Sequence, residues 1–153
     1  MADLDPVPVG GFRISHLYDA PPEAVFAAWT DPEQIARWWR PEGLEIPPES
    51  VVIEPRVGGR FELTMVDPRG ASYDLRATYV ELVEPELIVI QSEPIPEAGL
   101  TKATLTRVTF EAEGGGCRMT ITDGPYTEEM RGSAEAGWRS LVVNLARLLG
   151  AGS

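Results

Sequence analysis

Residues Ser133–Gly150, SAEAGWRSLVVNLARLLG, constrain this fold more than any other stretch. Ala134, Gly137, Trp138, Leu141, Val142, Leu145, Leu148 and Leu149 recur at the i, i+3, i+4, i+7 spacing of one helical face. Glu135, Arg139, Ser140, Asn144 and Arg147 fall mostly on the other side, and Val143 blurs the stripe. Ser133 is expected to cap the first turn and Gly150 to close the last. Glu135 and Arg139 stand four apart, the spacing of an ion pair worth roughly 0.2–0.5 kcal/mol. An apolar helical face of this length must lie on something large.

The rest of the chain supplies a sheet. Phe12–Tyr18 alternates as a strand with Phe12, Ile14 and Tyr18 on one face. Pro22 suits a first helical turn, and Glu23–Trp29 reads as a short helix with Val25, Phe26 and Trp29 inward. A second short helix starts at Pro32, with Asp31 as cap and Gln34 at the capping-box position. It runs to about Trp39 and ends before Pro41. Strands are then expected over Val51–Glu54, Arg60–Val66, Ser72–Val83, Leu87–Gln91, Thr101–Glu111 and Cys117–Asp123. The bends between them carry Gly58-Gly59, Asp67-Pro-Arg-Gly70, Glu84-Pro85 and the Gly114–Gly116 run. The order strand, two short helices, six strands, long helix predicts an α+β fold. Consecutive strands pair antiparallel into one curved sheet of seven strands wrapped on the C-terminal helix. One domain is expected over residues 12–150, with Met1–Gly11 as a loose lead-in.

Charge excludes some partners. The net charge is −11, which argues against nucleic acid and against docking on an anionic membrane. The start of the chain lacks the charged and apolar segments of a signal peptide, and no stretch is apolar for the ~20 residues of a membrane span. Cys117 is the only cysteine, so no internal disulfide is possible. A cytoplasmic location is the expectation.

Several stretches together resemble one family: Ala20-Pro-Pro-Glu-Ala-Val-Phe-Ala-Ala-Trp-Thr-Asp-Pro-Glu33, Arg37-Trp-Trp39 with Pro41, Arg56-Val-Gly-Gly-Arg-Phe61, and Gly137-Trp138. The chain resembles the activator-of-Hsp90-ATPase-like branch of the START-related, helix-grip superfamily over Ile14 to about Leu149. The resemblance implies a sheet gripping the last helix around an apolar cavity. Relatives include lipid carriers, hormone receptors, aromatic cyclases and single-domain bacterial proteins without assigned activity. Members with an additional N-terminal domain are the Hsp90 co-chaperones, and this chain is expected to lack that domain. It departs from the family pattern at His16, where relatives often have Arg, and at Cys117, where they usually have Thr.

The candidates for a cavity lining are Trp39, Phe61, Met65, Tyr79, Met119, Tyr126, Met130 and Trp138, because aromatic rings supply area and Met supplies adaptability. The bland alternative for each is simple core filling. Tyr79, Tyr126 and Trp138 carry polar atoms that could orient a ligand. One ring of Trp38-Trp39 is expected under the first strand and the other at the cavity mouth, with Pro41 as a rigid rim. His16 lacks any sequence-placed acid to orient it as a base. Cys117 reads as a structural thiol. Asp123, Glu128 and Glu129 read as exposed loop acids, and one His with one Cys does not make a zinc site. No cofactor is implied. The expected role is to bind a small apolar or amphipathic molecule between sheet and helix. A polyketide cyclase-like or hydrolase-like enzyme and a chaperone-associated regulator are the alternatives, and a homodimer is compatible with all three. An interior in which Trp138, Met119 and Phe61 touch without a gap would remove the binding role.

Overall fold

The computed structural model describes residues 7, 10–40 and 43–150. Most of the expected lead-in, and Pro41 with its expected rim, lie outside the described residues. The elements are β1 (Phe12–Tyr18), α1 (Pro22–Thr30), α2 (Pro32–Trp38), β2 (Val52–Ile53), β3 (Arg60–Val66), β4 (Ser72–Val83), β5 (Leu87–Ser92), β6 (Thr104–Glu113), β7 (Gly116–Gly124) and α3 (Glu128–Gly150). Short 3-10 turns at Pro48–Ser50 and Pro96–Ala98 complete the order.

All seven strands form one antiparallel sheet in the order β1-β7-β6-β5-β4-β3-β2. The first and last strands are therefore neighbours, and Asp123 stands between Phe12 on β1 and Thr106 on β6. Inward residues alternate as the pleat requires. They include Phe61 and Leu63 on β3, Leu75, Ala77 and Tyr79 on β4, Thr104, Thr106, Val108 and Phe110 on β6, and Met119, Ile121 and Asp123 on β7. The α+β order and the strand faces match the sequence reading.

The boundaries differ in instructive ways. α3 begins at Glu128 instead of Ser133, because Thr127 provides the start: its Oγ1 accepts the Met130 N–H at 3.3 Å, and its carbonyl accepts from Arg131. Ser133 thus lies inside the helix. β6 starts at Thr104 instead of Thr101, since Ile95 and Leu100 bridge each other and fold the preceding loop on itself. β2 keeps two residues of the expected four. Gly59 explains the neighbouring bend: a Cβ built there would lie 2.0 Å from the Glu54 carbonyl oxygen. Asp31 caps α2 by accepting from the Glu33 N–H at 3.0 Å, and Gln34 donates to its other carboxylate oxygen at 3.1 Å. The Glu135–Arg139 pair forms at 2.8 Å on the exposed face.

Besides the bond that Arg131 donates to the Gly11 carbonyl at 2.9 Å, three polar clips further along α3 seat it on the rest of the fold. The Tyr18 hydroxyl donates to the Val142 carbonyl at 3.0 Å. Asn144 donates to the carbonyls of Trp38 and Arg40, at 3.2 and 2.9 Å, satisfying the open end of α2. The third clip joins Trp138 to Asp123, at the heart of the site described next.

A cavity between the sheet and the long helix

Where α3 crosses the concave face of the sheet, the side chains do not close the gap. A cavity of about 370 Å³ remains, within the range of ~300–1,000 Å³ common for small-molecule sites. Met65, Leu75 and Ile90 of the sheet, Leu141 of α3, and Trp39 give it apolar walls. Ser92, Thr104, Thr106 and Asp123 form a polar stripe along one side, and Glu93 and Lys102 stand at the same wall beyond the strand ends.

Five of the eight sequence candidates line this space: Trp39, Met65, Tyr126, Met130 and Trp138. The other three stand one layer back. Phe61 packs against Trp39 with ring centroids 5.1 Å apart, and Tyr79 packs on Phe61 at 6.0 Å. The Met119 sulfur accepts the Trp29 indole N–H at 3.3 Å. Trp29 and Trp39 thus fill the space among Trp138, Met119 and Phe61, with Trp29 stacked on Trp138 at 5.9 Å. Of the adjacent pair, Trp38 turns into the helical layer, donating to the Ala28 carbonyl at 2.8 Å, and Trp39 faces the cavity. Tyr79 is fully buried, and its hydroxyl has no hydrogen-bond partner among the described residues.

Asp123 corrects the sequence reading. Expected as an exposed loop acid, it is 1% exposed and lies in the cavity wall. Its Oδ1 accepts from Thr106 Oγ1 at 2.7 Å. Its Oδ2 accepts from Trp138 Nε1 at 2.6 Å and from the Tyr126 hydroxyl. Burial raises its pKa above the ordinary carboxylate range, opposed by hydrogen bonds from Tyr126, Thr106, Trp138 and the Gly124 backbone. Burial also pushes the Tyr126 phenol upward, reinforced by the Asp123 charge beside it. The signal was present in the alternation: Met119 and Ile121 point inward, and Asp123 is the next residue in that series. The Gly124-Pro125 break made the position look like loop.

The remaining candidates lie elsewhere. His16 packs its ring against Tyr18, 4.4 Å between centroids, and does not line the cavity. Cys117 is buried, and burial pushes its thiol up to about 11, which suits a structural role. Glu128 and Glu129 are exposed in the first turn of α3, where they complement the helix dipole. No group of three potential metal-ligating acids, His or Cys occurs among the described residues. None of the described helices is long and apolar enough to cross a membrane.

A curved antiparallel sheet closed over one long C-terminal helix, with a cavity between them, defines a helix-grip domain. The family model described as "Activator of Hsp90 ATPase homolog 1-like protein" matches residues 19–150, and the chain belongs to that family. Solved structures agree. A protein from Chromobacterium violaceum is 26% identical, with a TM-score of 0.83 over 92% of this chain and 96% of that one. An AHSA1-like protein from Aeromonas hydrophila is 25% identical, with a TM-score of 0.77 over 93% of each chain. An AHSA1 protein from Silicibacter pomeroyi, 22% identical, has a TM-score of 0.78 over 94% of this chain and 99% of that one. No curated protein matches the chain significantly.

Proposed function

We propose that this protein holds a small apolar or amphipathic molecule in the cavity between the sheet and α3. The observation that carries this reading is the unfilled volume of about 370 Å³ at the centre of the grip, with apolar walls and a polar stripe on one side. Trp39, Met65, Met130 and Trp138 supply the contact area, and Tyr126 stands at the polar side. Phe61, Tyr79 and Met119 support that wall from behind.

Binding accounts for the site better than catalysis does. Asp123 is the acid buried within the wall, and its oxygens already accept from Thr106, Tyr126 and Trp138. A cyclase-like or hydrolase-like reaction needs a group free to move a proton to the ligand. A chaperone regulator would act through an exposed apolar patch. Among the described residues the large exposed apolar side chains are instead distributed over the segment before β1 (Val7), β1 (Leu17), β4 (Val80, Val83), β6 (Leu105), α3 (Val143) and the bend before β3 (Val57).

Gly137 offers a direct test. It lines the cavity, and a Cβ built on it meets nothing within 4 Å. Gly137→Phe therefore fills the hollow while removing a helix-weakening glycine. The neutral fluorophore N-phenyl-1-naphthylamine should brighten on binding the natural protein and not the variant. Equal brightening with both would place binding elsewhere and end this reading.

A further inference from the structure

The polar side of the cavity has a sign. Asp123 is buried in the cavity wall, and its partners are neutral donors: a threonine hydroxyl, a phenol, an indole and a backbone N–H. Among the described residues no basic side chain forms an ion pair with it. A buried carboxyl is neutralised either by keeping its proton or by a cation beside it, because neutral donors spread the charge without cancelling it. Of the charged residues in the lining, two are acids, Asp123 and Glu93, and one is basic, Lys102. Lys102 is exposed, whereas Asp123 is enclosed.

The surrounding rings fit the same ligand. Trp39 and Trp138 meet at 5.0 Å with their planes 77° apart, forming two nearly perpendicular walls. Tyr126 and Tyr73 add two further aromatic groups to the lining. Aromatic walls beside a carboxyl group make a receptor for alkylated or aryl ammonium groups: the ring quadrupoles attract the cation, and the cation in turn favours the ionised carboxylate, offsetting the burial that holds its proton. The net charge of −11 concentrates cations around the molecule before binding. A carboxylate ligand would meet like charge at that depth.

We propose that the cavity selects an apolar molecule carrying a cationic nitrogen, with Asp123, Trp39, Trp138 and Tyr126 as the receptor for the charged end. This rests on the reading that the cavity is a ligand site. It also gives the Asp123 cluster a purpose beyond clamping β7 to α3, and the two roles predict different selectivity.

Three probes of matched chain separate them: octyltrimethylammonium, octanol and octanoate, each titrated calorimetrically against the folded protein. The cation should bind at least about tenfold more tightly than either other probe, the scale of one desolvated cation–aromatic contact. Asp123→Asn keeps the side-chain shape and removes the charge. It should lower affinity for the cation towards that of octanol. Wild-type protein that binds octanol or octanoate as well as the cation overturns the selectivity proposal while preserving the cavity reading. An Asp123→Asn variant that still prefers the cation overturns the role of Asp123. Failure to bind any of the three overturns both.

Discussion

The indole N–H of Trp138 donates to Oδ2 of Asp123 over 2.6 Å, and this contact joins the end of β7 to the helix that covers the sheet. Both partners are buried. Trp138→Phe retains the apolar ring and deletes the donor. It should lower the unfolding free energy by about 1–3 kcal/mol, the cost of leaving a buried acceptor short of a partner. Urea denaturation measures it, and an unchanged midpoint would show that the contact carries no stability.

Asp123 should also give stability an unusual pH slope. Its folded pKa lies above its unfolded one, so the native state holds the proton more tightly. That contribution is complete below the unfolded value and is lost as pH rises through the folded value. Glu54 and Glu113, held low by hydrogen bonds from Arg60 and Arg118, act in the opposite sense but are common to both proteins. The stability of wild type minus that of Asp123→Asn should therefore fall as pH rises from the ordinary carboxylate range. A difference that rises with pH would mean that the four donors outweigh burial.

Tyr79 carries a buried hydroxyl without a partner among the described residues. Tyr79→Phe removes the polar atom and keeps the edge contact with Phe61. The variant should be more stable by about 1 kcal/mol in the same denaturation assay, because an unmet desolvation cost disappears. A loss of stability would indicate a partner that orders only in solution.

Two glycines should respond to alanine with opposite signs. At Gly59 the new methyl would meet the Glu54 and Arg56 carbonyl oxygens at 2.0 and 2.9 Å, so the backbone must shift, at a cost of about 1–3 kcal/mol. At Gly137 the methyl enters open space within α3, and the gain in helix propensity should stabilise by about 0.5–1 kcal/mol. Thermal melts of the two variants on either side of wild type would bear this out.

The fold was legible because its elements are strongly periodic. The β3 and β4 boundaries match the sequence reading at both ends, and the apolar face of α3 declares its partner. The start of α3 was hidden by Gly132, which weakens the helical signal, while Thr127 supplied the cap further upstream. Five wall residues of the cavity were readable as large side chains on inward faces. Phe61, Tyr79 and Met119 share that pattern but sit behind the wall, since spacing alone cannot separate a surface from the layer beneath it. Asp123 was missed because its sequence neighbours Gly124 and Pro125 resemble a turn, and its partners lie 17 and 15 residues away at Thr106 and Trp138.

The methionine methyl groups provide the most direct test of the cavity. Met65 and Met130 line it, whereas Met119 is buried against Trp29, outside the lining. With methyl-labelled methionine, addition of octyltrimethylammonium should move the Met65 and Met130 resonances and leave Met119 in place. Resonances that do not move, or a shift confined to Met119, would contradict a ligand site between the sheet and the helix.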